Sequence, residues 1–107
     1  MSDEWGRDPA VKMMRLVFAQ MEAASNDFLK SLGISPLDIR LRPWRERARA
    51  LFERAWATAV RKGMETSGER AGIVYVACLA RLMAGEGVEV DMKTLKEGEQ
   101  ILKEVLQ

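Results

Sequence analysis

Histidine is absent from this chain of 107 residues, and cysteine occurs only once. Without histidine the chain has no Ser-His-Asp or Cys-His catalytic set, no Cys₂His₂ zinc site, and no haem or di-iron site that uses histidine ligands. A single cysteine excludes disulfide frameworks, four-cysteine clusters and C-x-x-C redox chemistry. We therefore expect no catalytic residue, no metal site and no cofactor, and we expect that the protein is not an enzyme.

Long apolar runs are also missing. The longest uncharged apolar stretch, residues 71–80, has half of the roughly 20 residues that a membrane-spanning helix needs. The first five residues are acidic where a secretory signal requires a basic region followed by an apolar one. The sequence predicts no membrane insertion and a cytoplasmic location, where a lone thiol stays reduced.

The composition, 48% hydrophobic and 31% charged, is typical of a folded globular protein. Proline and glycine divide the chain into pieces of helical length, and within these pieces apolar residues recur at spacings of three and four. We expect an all-α fold in one domain, 1–107: a compact bundle of four main helices plus one short helical turn. The predicted helices cover 9–32, 43–62, 69–84 and 92–106, and the turn covers 36–41.

The helix boundaries are predicted from capping residues. Asp8 and Asp91 are candidate N-caps of the first and last helices, and Thr66 with Glu69 has the spacing of a capping box. We expect Pro43 to end the short turn, because proline disfavours a helical conformation in the residue before it, Arg42. The predicted stop residues are Gly33, Gly63 and Gly85.

The first helix carries a wide apolar stripe that we expect to face the core, whereas Leu16 lies off it. The stripe consists of Val11, Met14, Val17, Phe18, Met21, Ala24, Phe28 and Leu32.

The helix at 69–84 is apolar in almost every direction, interrupted only by Arg70 and Arg81. Such a helix requires cover on most of its sides. Either it lies in the middle of the bundle, or a second copy of the chain covers one face. A buried strand at 72–79 would also be continuously apolar, but the apolar segment is longer than a strand. The candidate self-association residues are Ile73, Val76, Leu79 and Met83.

Positive charge is concentrated in segment 40–62, which has eight basic residues against two acidic ones. Arg47, Arg54 and Arg61 are spaced by seven, so they form a row along one flank of the helix. Glu97 and Glu104 have the same spacing, and we expect them to pair with this row, within one chain or between two. The candidate residues for binding a partner or nucleic acid are Arg40, Arg42, Arg45, Arg47, Arg49, Arg54, Arg61 and Trp56.

No known catalytic motif fits the chain. The glycines at 63 and 68 have the interval of a phosphate-binding loop, but Glu69 stands where the lysine belongs and would repel phosphate. Cys78 lies in the most apolar helix, where a thiol usually acts as a small core group.

These observations favour a non-catalytic interaction or scaffold subunit that associates with itself, or with another protein subunit, through helix faces. The alternative is a nucleic-acid-binding accessory subunit, in which arginines contact phosphates and Trp44 and Trp56 stack on bases. The net charge of only +1 counts against this alternative. A third hypothesis, an enzyme or ligand carrier with a pocket between helices, requires a cavity with converging polar groups, which a sequence does not reveal.

Overall fold

Four α-helices and one 3₁₀ turn make up the computed structural model, which describes residues 9–91 and 95–106. No strand occurs in this part of the chain, so the predicted all-α bundle is confirmed and the strand alternative is wrong. The helices are α1 (Pro9–Ser31), α2 (Arg42–Arg61), α3 (Gly68–Gly85) and α4 (Lys96–Leu106), and the 3₁₀ turn spans Ile39–Leu41.

Helix α3 lies in the middle of the molecule and contacts each of the other three helices. Eleven of its residues are buried, which explains why the helix is apolar on almost every side. Helix α1 runs parallel to α3, because Gly68 meets Leu16 and Gln20 while Gly72 meets Gln20 and Ala24. One chain therefore supplies the cover that this apolar helix requires.

Two of the helix–helix contacts are closest at a glycine. A Cβ at Gly72 would lie 2.9 Å from the backbone oxygen of Gln20 on α1. A Cβ at Gly98 of α4 would lie 2.8 Å from both the Ala77 Cβ and the backbone oxygen of Ile73 on α3. Both distances are too short for a carbon atom, so these contacts require glycine.

The predicted helix ends are mostly correct, with three differences. The N-cap of α3 is Ser67, whose hydroxyl accepts a hydrogen bond from the Arg70 amide at 3.2 Å, so the capping frame is one residue later than Thr66. Helix α3 continues through Gly85, and Gly87 adopts the positive φ of 87° that follows a helix end. The predicted caps of α1 and α4 concern Asp8 and the start of the helix at 92, which lie outside the described residues.

The third difference is at Pro43, which does not force Arg42 out of the helical region. Arg42 has φ −54° and ψ −48°, and α2 begins there, directly after the 3₁₀ turn. Proline fits in the first turn of a helix because its missing N–H would have no intrahelical acceptor there. The helical turn is also shorter than predicted: it spans Ile39–Leu41 and not 36–41, because Asp38 caps it by accepting from the Arg40 amide at 2.9 Å. The ion pair of Asp38 with Arg40 is 2.6 Å long.

The wide apolar stripe of α1 is only partly buried. Met21, Ser25 and Leu29 of α1 are buried, whereas Met14 and Phe18, which lie on the same side of the helix nearer its beginning, remain 57% and 42% exposed. They are exposed because no Cα atom of α2 comes within 8 Å of one in α1, so α2 does not cover this side. Leu16 is exposed, as expected.

Candidate binding groove between α1 and α2

Helices α1 and α2 both pack on α3 but not on each other. No Cα atom of α1 lies within 8 Å of one in α2, so the two helices form the sides of a groove and α3 lies beneath it. The groove contains two adjoining cavities of about 370 and 360 Å³. These volumes lie at the lower end of the range for small-molecule sites.

One cavity forms what we call the apolar end of the groove. It lies between the first half of α1 and the second half of α2, and Glu53 and Arg49 are the charged groups at its edge. Phe52 and Trp56 stack with ring centroids 5.3 Å apart and form one wall. The other apolar residues that line it are Met13, Met14, Val17, Phe18 and Ala57.

The other cavity forms the polar end of the groove. Tyr75 of α3 lines it and is 8% exposed, and burial raises the pKa of the Tyr75 hydroxyl above its ordinary value, against the opposing positive charges of Arg45 and Arg49. Ser25 of α1 is the one buried polar residue among those described. The polar end thus combines two guanidinium groups and two hydroxyls, and Glu22 and Glu46 also line it.

Two side chains bridge the groove where its ends meet. The Arg49 guanidinium lies over the Phe18 ring, 5.3 Å from the centroid, a cation–π contact between α2 and α1. Arg45 makes a second bridge, since its Nη2 donates to Asn26 Oδ1 at 3.2 Å. The Nε of Arg45 is buried and has no hydrogen-bond partner among the described residues, a deficit that ordinarily costs about 1–3 kcal/mol.

The structure divides the predicted binding arginines into several groups. Arg45 and Arg49 lie in the groove, on the flank where Trp56 also lies, as the helical spacing predicts. The remaining predicted residues are outside it, and most of them have acidic partners within the chain. Arg40 pairs with Asp38, Arg42 with Glu46, Arg47 with Glu86, and Arg49 also with Glu53.

The predicted ladder between Arg47, Arg54 and Arg61 and the acids of α4 is not formed within the described part of the chain. Arg47 pairs instead with Glu86 at 3.5 Å. Near Glu104, it is the Lys62 ammonium that donates, at 2.7 Å, to the backbone carbonyl. An ion pair that joins α3 to α4 is Arg81–Glu99 at 2.9 Å, and the hydrogen bond to Glu99 raises the pKa of Arg81.

The four candidate self-association residues lie against other helices of the same chain. Leu79 and Met83 are fully buried, Val76 is 7% exposed, and Ile73 is half-buried. A second copy has no access to Leu79 or Met83 while α3 stays enclosed. The self-association hypothesis therefore needs a different surface, and the exposed apolar residues of α1 provide one.

The remaining groups offer little reactive chemistry. Cys78 is fully buried, and desolvation raises the pKa of its thiol to about 12. Within residues 9–91 and 95–106 no three Cys, Asp or Glu side chains converge in a way that suits a metal ion. No helix in the same ranges combines the length and apolar character that crossing a bilayer requires.

Comparison with known proteins adds no relative. The chain matches no protein-family model, no curated protein and no solved structure.

Proposed function

We propose that this protein is a non-catalytic assembly module and that a helix of a second copy docks over the apolar end of the α1/α2 groove. The observation that carries the proposal is the exposure of large apolar side chains on one segment of α1. Met13, Met14 and Phe18 are each 42–57% exposed, and all three line the cavity. A contiguous apolar patch of this kind is typical of an interaction surface.

Two features favour a second copy as the occupant. The same segment of α1 forms one wall of the apolar end and carries the protruding apolar side chains. Two copies related by a twofold axis can therefore each insert these side chains into the groove of the other. Charge also matches, because Glu53 on the α2 edge is exposed and Lys12 and Arg15 project from the same part of α1. Each cross-copy pair contributes little free energy, but together they favour one register.

The same surface fits the nucleic-acid hypothesis less well. Four of the predicted arginines are paired with acids of the chain, which lowers the positive field that phosphates require. Trp56 stacks on Phe52 and Trp44 packs against the core, so both rings are half-buried. Half-buried rings are less available for stacking on a base than exposed ones.

Sedimentation velocity over a wide concentration range tests the proposal. We expect the wild-type chain to form a dimer reversibly, and we expect Phe18→Asp to weaken the dimer by about tenfold or more, because it places a charge in an apolar contact. Leu37→Asp is the matched control, since Leu37 is 93% exposed and lies outside the groove. This control variant should dimerise like the wild type.

Two results would overturn the proposal. One is a wild-type chain that sediments as a monomer at every concentration. The other is a Phe18→Asp dimer as stable as that of Leu37→Asp, which would place the interface elsewhere on the molecule.

A further inference from the structure

The polar end of the groove has the features of a ligand site, and it shares only Phe18 and Arg49 with the apolar end that the proposed dimer uses. Its cavity of about 370 Å³ lies between α1 and α2, with Tyr75 of α3 beneath it. Ser25 follows Phe18 by seven residues, so the polar end is about 10 Å along α1 from the apolar contact. Ligand pockets commonly combine apolar walls with a few convergent polar groups, and Phe18 and Met21 supply such walls here.

We infer that the polar end binds the carboxylate of a small organic monoacid, with Arg45 as the main anchor and Tyr75 as a hydrogen-bond donor. Arg45 lines the cavity, and its guanidinium makes one hydrogen bond among the described residues, from Nη2 to Asn26, which leaves other N–H groups of the fork for a ligand. Neither the Tyr75 nor the Ser25 hydroxyl takes part in a hydrogen bond within the described part of the chain. A carboxylate, which only accepts hydrogen bonds, suits this collection of donors.

The charges around the cavity define the ligand class further. Arg45 and Arg49 are balanced by Glu22 and Glu46, which also line the cavity. Glu46 lies 3.5 Å from Arg42, outside the cavity, whereas Glu22 has no such partner among the described ion pairs. These two acids repel a dianion more strongly than a monoanion. The site therefore favours a carboxylate over a phosphate, and the Phe18 and Met21 walls favour an apolar body on the acid.

Phenylacetate is a suitable probe, because it joins one carboxylate to one apolar ring. Titration followed by NMR chemical shifts should give saturable changes at residues of the polar end. Phenylacetamide has the same shape without the charge, and phenyl phosphate carries a second negative charge. We expect each to bind at least about tenfold more weakly than phenylacetate, the amide because it loses a charged hydrogen bond and the phosphate because Glu22 and Glu46 repel its second charge.

Variants identify the residues that bind. Arg45→Gln should weaken phenylacetate binding by about tenfold or more, and Tyr75→Phe by roughly threefold to tenfold, because the latter removes one hydrogen bond and keeps the ring. Arg47→Gln is the matched control, since Arg47 lies two residues away and pairs with Glu86 outside the cavity. Tyr75→Phe also keeps the edge-on contact with Phe52, so it tests the site without removing core packing.

Three results would overturn this inference: no saturable shift at about 10 mM phenylacetate, equal binding of the amide, or equal losses in the Arg45→Gln and Arg47→Gln variants. Its failure is distinguishable from failure of the assembly proposal, because Arg45→Gln and Tyr75→Phe should leave the sedimentation behaviour unchanged. Phe18→Asp, by contrast, removes the dimer.

Discussion

At the residue scale, the closest helix–helix contacts depend on two glycines, which have no side chain. Glycine within a helix ordinarily lowers helix stability by about 1 kcal/mol relative to alanine. Here Gly72 and Gly98 allow the backbones of α1 and α4 to approach α3 so closely that a methyl group does not fit. The loss of helix propensity is offset by the packing of α3 against its neighbours.

Gly98→Ala should therefore destabilise the protein, although alanine is the better helix former. Its Cβ would lie 2.8 Å from the Ile73 backbone oxygen, and overpacking of this kind costs about 1–3 kcal/mol. Gly85→Ala is the control, because nothing lies within 4 Å of a Cβ there. Urea unfolding should show a lower midpoint for the first variant and an unchanged or higher one for the second. Equal stability of the two variants would contradict the steric explanation.

Single residues also show where inference from the sequence stops. The glycine at 98 is visible in the sequence, but its necessity depends on a contact between residues about 20 positions apart. The same applies to Ser25 and Tyr75, which join Arg45 at one cavity although they come from different helices. The spacing of apolar residues shows which face of a helix is apolar, but it does not show which other helix that face contacts.

At the element scale, local signals predicted the helices well because each boundary has its own chemistry. Glycine after the end of a helix acts over a few residues, so Gly33 and Gly63, both with positive φ, mark the ends of α1 and α2. The cap of α3 was displaced by one residue because Thr66 and Ser67 are both good N-caps. Spacing to Glu69 favoured the first, whereas the structure uses the second.

Alanine substitution at Thr66 and at Ser67 shows which of the two residues caps α3. Ser67→Ala should lower the free energy of unfolding by about 1 kcal/mol, because the amide of Arg70 loses its acceptor. Thr66→Ala is the matched control, and we expect it to have a much smaller effect. The measurement is chemical unfolding of both variants. A larger loss for Thr66→Ala would restore the predicted capping frame.

The apolar stripe predicted for α1 is wider than the row of residues that the structure buries. The buried row of this side is Met21, Ser25 and Leu29. Positions 14 and 18 continue the same side toward the beginning of the helix, at spacings of four and three, and remain exposed. The sequence alone did not reveal that α2 stays too far away to cover this face.

At the scale of the whole molecule, α3 is enclosed by the other three helices, and Cys78 lies at its centre. The thiol is fully buried, and desolvation raises its pKa to about 12, so at neutral pH it is both inaccessible and protonated. Thiol reagents react with the thiolate. Reaction of Cys78 thus requires α3 to lose its cover.

We expect labelling of Cys78 by a disulfide reagent to follow global unfolding. The native protein should react slower than the denatured chain by roughly the unfolding equilibrium constant, provided that reclosing is fast relative to labelling. The destabilised Gly98→Ala variant should react faster by the factor by which its unfolding equilibrium constant rises. Rapid labelling of the native wild type, or a rate that Gly98→Ala leaves unchanged, would show that α3 opens locally.

The separation of α1 from α2 has a consequence for how the groove is tuned. Helices α1 and α2 pack separately on α3. The width of the groove between them therefore depends on the α3 side chains that both helices contact. A change in the volume of one such side chain, at Tyr75 for example, alters the opening without touching either rim. Changes on opposite rims should combine additively except at the pairs Arg49–Phe18 and Arg45–Asn26, whose side chains touch across the groove.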